Sequence, residues 1–173
     1  MGAEKEHGQV KLVLGVIFTD SEIYEKMLAR MTEYYGGIDY RSEVIPFIYT
    51  HYYDGEMGGN ILRQFVTFGK PIDPVMLVDI KKFTNTLENE HARDGNRPVN
   101  FDPGYLELGK FILATTKDQQ HRIYIREGIY EEITLYFRGK DWEPYEWTYP
   151  DYRSREYRDI FLEIRKRFKK DRG

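Results

Sequence analysis

Two short stretches of the chain concentrate side chains that can do chemistry. From Asn100 to Arg122 the sequence reads N-F-D-P-G-Y-L and then A-T-T-K-D-Q-Q-H-R, which sets Asn100, Asp102, Thr116, Lys117, Asp118, His121 and Arg122 around one apolar run. From Trp147 to Arg153 it reads W-T-Y-P-D-Y-R, adding Tyr149, Asp151 and Arg153. Lysine, histidine and arginine side by side are charge-assisted donors for an anion such as phosphate. A carboxylate such as Asp102 or Asp151 serves as a general base, and a histidine flanked by charges can be tuned for proton transfer. Asp102, Asp118 and Asp151 together would also suit a divalent metal such as Mg²⁺. Asn100, Thr116, Tyr149 and Arg153 complete the expected ligand-binding set.

Nucleotide motifs come close and fail for physical reasons. Gly104 to Lys110 has the phosphate-loop spacing, but Phe111 stands where a hydroxyl must hold Mg²⁺. The residues that follow, F-I-L-A-T-T, read as strand, whereas a phosphate loop opens a helix. Thr116-Lys117-Asp118 lacks the spacer of a guanine-reading motif.

These groups must be carried by a folded frame. With 173 residues, 40% hydrophobic and 32% charged, the chain has the material for one domain with its own core. The reading is a single domain over residues 9–173 behind a tail at 1–8. There is no cysteine, which removes disulfides, thiol catalysis and cysteine-ligated metals from consideration. The start is polar, the run Leu12–Phe18 is too short to span a bilayer, and a signal peptide's basic start and small-residue cleavage site are lacking, so the expectation is a cytoplasmic protein with no membrane partner. Residues 152–173 hold nine Lys/Arg against four Asp/Glu, leaving 17 against 25 in residues 1–151. The basic end can solvate a final helix or touch an acidic partner. Many Glu, Lys, Arg and Tyr without Cys also make the composition thermophile-like.

The apolar run at 10–18 reads as a central strand covered on both faces. Thr19 and Glu22 stand at capping-box spacing before a helix over 21–35 that Gly36-Gly37 ends. Strands are expected at 44–53 and 61–69 around D-G-E-M-G-G, then a helix from Asp73-Pro74. A strand at Phe111–Thr115 completes the order β-α-β-β-α-β. The fold expected is therefore α+β, ferredoxin-like (split βαβ), with a mostly antiparallel sheet. It is extended by a β-hairpin at 121–126 and 129–138 and by a C-terminal helix capped by Ser154. The hairpin pattern puts Ile123, Ile125, Ile129, Ile133, Leu135 and Phe137 inward and an Arg–Tyr face outward. Glu131 falls on the apolar side. In the 44–69 hairpin Glu56 and Arg63 are better candidates for a functional role than His51, the plain alternative being a cross-strand ion pair between them.

Several strings carry a resemblance: T-H-Y-Y-D-G-E-M-G, V-N-F-D-P-G-Y-L, L-A-T-T-K-D-Q-Q-H-R-I-Y, G-I-Y-E-E-I-T-L and W-T-Y-P-D-Y-R. Through them residues 10–168 resemble the uncharacterised prokaryotic domain of unknown function family 4416. Some members of that family are automatically labelled GTP-binding. The resemblance implies one intact domain and no established reaction, substrate or catalytic residue.

The functional expectation is an enzyme or binding protein for a small phosphorylated or nucleotide-like ligand, with metal assistance. The alternative is an RNA-binding module that uses the Arg–Tyr hairpin face and the basic C-terminal helix. For the first, an Asp102-Pro103-Gly104 turn folds the chain back with Tyr105–Lys110 as spacer. One cleft then collects Asp102, Lys117, His121, Arg122, Asp151 and Arg153.

Overall fold

A computed structural model describes residues 2–172. The elements run β1 (Lys11–Phe18), α1 (Ser21–Tyr35), β2 (Ile38–Arg41), β3 (Ile45–Pro46), α2 (Asp54–Met57) and β4 (Leu62–Phe68). A 3-10 turn at Pro74–Met76 leads into α3 (Leu77–His91), followed by β5 (Val99–Leu106), β6 (Lys110–Thr115) and β7 (Ile123–Arg126). The chain closes with β8 (Ile129–Arg138), β9 (Asp141–Pro144) and α4 (Arg155–Asp171). Among the described residues the strands form one sheet in the order β2-β4-β1-β5-β6-β8-β7, with β3 beside β4 and β9 beside β8. Every neighbouring pair is antiparallel. The molecule is an α+β protein, and no described helix is long and apolar enough to cross a membrane.

β1 lies inside the sheet and is buried throughout, as a continuous apolar run requires. Its alternate residues Leu12, Leu14, Val16 and Phe18 face α1 and α3, which share one side of the sheet. Val13 faces the other side, where Phe65, Phe111, Leu135 and Trp142 meet Tyr157, Phe161, Ile164 and Phe168 of α4. Ser154 caps α4 by accepting from the Tyr157 N–H, and Asp73 caps the turn before α3. The cap of α1 is Asp20, accepting from Ile23 N–H, and not Thr19. Either residue has the chemistry, and the backbone chose the one a position later.

Three expectations are corrected. The strand next to β1 is Val99–Leu106, a segment whose Asp-Pro-Gly reads locally as a turn. Pairing with β1 along eight residues overrides that preference. Gly104 is required there because a Cβ would strike the Ile112 carbonyl and the Phe111 ring. Second, the strand expected at 44–53 is only Ile45–Pro46, and D-G-E-M forms α2 instead of a hairpin turn. The missing partner of β4 is β2, next to the end of α1.

Third, the hairpin turns at Glu127-Gly128 with positive φ at both, as a two-residue connection demands, but its sides are mixed. Ile129 and Leu135 are buried, whereas Ile123 is 70% exposed and Ile125 and Ile133 also face solvent. Register shifts on both sides of β8 account for part of the difference, and α3 meets the end of β7 through the Arg126–Asp79 ion pair, which leaves Ile123 and Ile125 exposed. Arg122, Glu132 and Thr134, expected to face water, are buried.

Glu131 sits half-buried with no cation at ion-pair distance among the described residues, and burial raises its carboxyl to about 7. The folded protein keeps this proton while the unfolded chain releases it near 4.5, so stability falls as pH rises between those values. The full shift corresponds to roughly 3 kcal/mol, and partial solvent access reduces it to about 1–2 kcal/mol. Glu131→Gln is therefore expected to stabilise the protein by that amount at pH 8 and to change little at pH 4 in denaturant titrations. Equal stability of the two proteins at pH 8 would refute it.

Candidate functional site

β5 and β6 are the two arms of a hairpin closed by a short turn, where Glu107 N–H donates to Lys110 O at 2.9 Å. Pairing runs from Leu106↔Phe111 to Gly104↔Leu113 and then stops. Beyond that point β5 continues along β1 while β6 continues along β8 to Thr115↔Tyr130. The strands part and leave a cleft through the sheet of about 680 Å³.

The gap leaves one edge of β5 without a strand partner, and α3 supplies the missing bonds. Glu88 Oε1 accepts from Phe101 N–H at 2.8 Å, and Lys81 Nζ donates to Phe101 O at 2.9 Å. By strand alternation Pro103 looks into the same gap, where its missing N–H costs nothing. Burial raises the Glu88 carboxyl above its ordinary value despite Lys81, the Phe101 N–H and Arg97. Arg97 joins Glu88 (2.5 Å) to Glu56 of α2, which it grips through two nitrogens at 2.5 and 3.0 Å. That fork ties the 47–61 segment, with Tyr49, Tyr52 and Tyr53, over the cleft.

The floor is built around Arg63 of β4, only 3% exposed. Its Nη2 donates to Asp151 at 2.8 Å, its Nη1 to Asp102 at 3.4 Å and its Nε to the Tyr157 hydroxyl at 3.2 Å. The rings of Phe47, Phe65, Tyr152 and Tyr157 surround the guanidinium. Burial opposes its charge, but Tyr157, Tyr152, Asp151 and Asp102 more than offset this, so its pKa lies above the ordinary value. Gly15 of β1 makes the space: a Cβ there would stand 3.0 Å from Arg63 Nη1 and 3.1 Å from Tyr152 Oη. Asp151 is raised by burial, with Arg63 acting against that rise.

One wall is held by Arg122. Its Nε donates to Glu132 at 2.7 Å, its Nη1 to Lys117 O at 3.0 Å and its Nη2 to the Tyr149 hydroxyl at 2.7 Å. At the mouth, Lys117 Nζ donates to the Tyr52 hydroxyl at 3.0 Å and lies 4.3 Å from that ring's centre.

The structure thus brings Asn100, Asp102, Thr116, Lys117, Arg122, Tyr149 and Asp151 into one lining. The route differs from the one expected, because the fold-back is at Glu107–Lys110 and Asp102 lies within a strand. His121 is outside the lining: it bonds Glu132 at 3.1 Å and stacks on Trp147. Arg153 is outside too, its guanidinium taken by the carbonyls of Thr148 and Glu146. Asp118 is exposed beside Tyr130, so the carboxylates Asp102, Asp118 and Asp151 are not gathered. Among the described residues no group of three or more His, Asp or Glu is arranged to hold a metal ion.

Glu56 and Arg63 do not pair with each other; their partners are Arg97 and the two aspartates. Lys81, Glu88 and Arg97 were not anticipated. A signal existed, since Lys81, Thr84 and Glu88 fall at helical spacing on the buried side of α3. Gly15 within an apolar strand and Arg63 within L-R-Q-F-V-T-F were signals of the same kind. On the hairpin, Arg122 pairs with Glu132, Arg126 with Asp79 and Glu127, and Arg138 with Glu143.

No curated protein and no solved structure matches the chain. The cleft's lining falls wholly within residues 8–168, which match the model of a domain of unknown function (DUF4416), and the chain belongs to that family.

Proposed function

We propose that the protein binds a small phosphorylated or nucleotide-like anion in the cleft between β5 and β6. The observation that carries this reading is the state of Lys117. Each arginine of the lining is already matched by a carboxylate: Arg63 by Asp102 and Asp151, Arg97 by Glu56 and Glu88, Arg122 by Glu132. Lys117, at the mouth, has among the described residues only a phenol and an aromatic face. A phosphate would give this ammonium the anionic partner it lacks, next to the Thr116 hydroxyl in the same lining. Tyr49, Tyr52, Tyr53 and Tyr149 offer flat surfaces to the rest of such a ligand. The volume lies in the range of small-molecule sites.

Thermal-shift titration with nucleotides and sugar phosphates, with and without Mg²⁺, tests the reading. A ligand at 100 times its Kd adds about 2.7 kcal/mol of stability, a shift of several degrees. Lys117→Ala is expected to weaken the binding roughly 10- to 100-fold, the loss of one charge-assisted hydrogen bond. If no phosphate-bearing compound shifts the wild-type protein, the reading is wrong.

The frame around the site is read as ferredoxin-like. Support comes from the order β2-β4-β1-β5, with α1 joining β1 to β2, α3 joining β4 to β5, and both helices on one face.

A further inference from the structure

The two ends of the cleft have opposite electrical character. Lys117 gives the mouth a cation. On the floor one guanidinium faces two carboxylates, Asp102 and Asp151. A phosphate pushed to the floor would meet like charge, so the anionic end of a ligand belongs at the mouth. What the floor asks for is a donor.

Asp102 is placed to receive one. It is 28% exposed, unlike Asp151, and it lines the cleft. Asn100 Nδ2 donates to its Oδ1 at 3.0 Å and Arg63 Nη1 to its Oδ2 at 3.4 Å. An ionised carboxylate has about four acceptor positions, so about two remain for a ligand. A second polar group stands beside it. Tyr152 belongs to the cleft's lining, and its buried Oη has no hydrogen-bond partner among the described residues. It converges with Arg63 Nη1 over Gly15, the residue opposite Asp102 across the β1–β5 ladder. Unsatisfied buried hydroxyls are uncommon, and one beside a half-satisfied carboxylate marks a place for a hydroxyl-bearing molecule.

Resting on the anion reading above, we propose that the ligand is a phosphorylated polyol, with its phosphate at Lys117 and its hydroxyls donating to Asp102. Asp102 is then the residue that separates a sugar phosphate from other phosphates. A site that accepts from a substrate hydroxyl discriminates against an analogue without it, because the acceptor would be left unpaired.

Isothermal titration of ribose 5-phosphate, 2-deoxyribose 5-phosphate, phosphoethanolamine and inorganic phosphate tests this. The wild-type protein is expected to prefer ribose 5-phosphate to inorganic phosphate by about 10-fold or more, one net hydrogen bond's worth, with the deoxy sugar between them. In Asp102→Asn the preference for the sugar phosphate over inorganic phosphate should be lost, the ratio of the two affinities within the same variant being the readout. Equal wild-type affinity for ribose 5-phosphate and inorganic phosphate would overturn the assignment, as would tighter binding of phosphoethanolamine or a preference that survives Asp102→Asn. In each of those cases phosphate still binds and the anion reading stands. Absence of binding by all four would overturn the polyol assignment, and the nucleotide arm of the thermal-shift titration then decides the anion reading. Should the variant fail to fold, the wild-type series decides alone.

Discussion

Replacing Arg63 by methionine is expected to cost about 3–5 kcal/mol of folding stability, the typical loss when one member of a buried ion pair is removed. Methionine fills much of the volume among the four aromatic rings, so little of the loss would come from packing. The damage lies in what remains. Asp151, 5% exposed, would keep only the Tyr152 N–H at 3.0 Å, and the Tyr157 hydroxyl would lose a donor. A carboxylate buried without its cation resists ionisation, while the unfolded chain ionises it near 3.8. The loss should therefore grow as pH rises above that value and be smaller at pH 4 than at pH 8. Arg63→Met with Asp151→Asn should recover part of the stability, because no buried charge is then left alone. Urea titrations of the single and double variants supply the numbers. A single variant within 1 kcal/mol of wild type at pH 8 would show that Asp151 is neutral in the native protein and that Arg63 does not hold the floor.

The second large effect belongs to Glu88. Its two oxygens serve different masters: one takes the Phe101 N–H of β5, the other the Arg97 guanidinium that also grips Glu56. Glu88→Ala leaves a buried amide unpaired, removes a carboxylate from beside Lys81, and loosens the fork over the cleft. About 3–5 kcal/mol is expected. Glu88→Gln keeps one oxygen for Phe101 but loses the charge and the acceptor of Arg97, whose guanidinium would meet an amide NH2, so a cost of about half that should follow. The comparison separates the hydrogen bond from the ion pair. If the alanine variant loses less than 1 kcal/mol, β6 has taken over the bonds of Phe101, and α3 is not what keeps the strands apart.

Local signals read well where they were not contested. The apolar run of β1, the Asp73-Pro74 start before α3, the Ser154 cap of α4 and the Glu127-Gly128 turn are all statements about neighbours in sequence. Asp102-Pro103-Gly104 is the counterexample. Its turn preference is real, yet eight cross-strand partners in β1, more than eighty residues earlier, outweigh it. The inward and outward faces of the hairpin failed for a related reason. Alternation says that two faces differ, and only the packing of other elements says which one is covered. Here the 145–154 segment covers Glu132 and Thr134, and Ile123 is left in water.

The site was legible as a neighbourhood more than as a mechanism. Asn100, Asp102, Lys117, Arg122 and Asp151 were found because polar residues crowd two short strings. Arg63 at their centre stands out in its hairpin beside Glu56, but its partners did not, since it meets its aspartates across 39 and 88 positions of chain. A lone arginine in an apolar strand announces that it has a partner without naming it. His121 shows the opposite error: neighbours in sequence suggested chemistry, and the side chain turns to Glu132 and Trp147 instead.

The brevity of the β5–β6 ladder has a mechanical meaning. Three residue pairs join the sheet on the β1 side to the sheet on the β8 side. Where the ladder ends, packing takes over the connection, because Phe161 of α4 meets both Phe65 of β4 and Phe111 of β6. Asp102 stands on one side and Lys117 follows directly from the other. A molecule that touched both would span the gap on the side of the sheet where the ladder is missing.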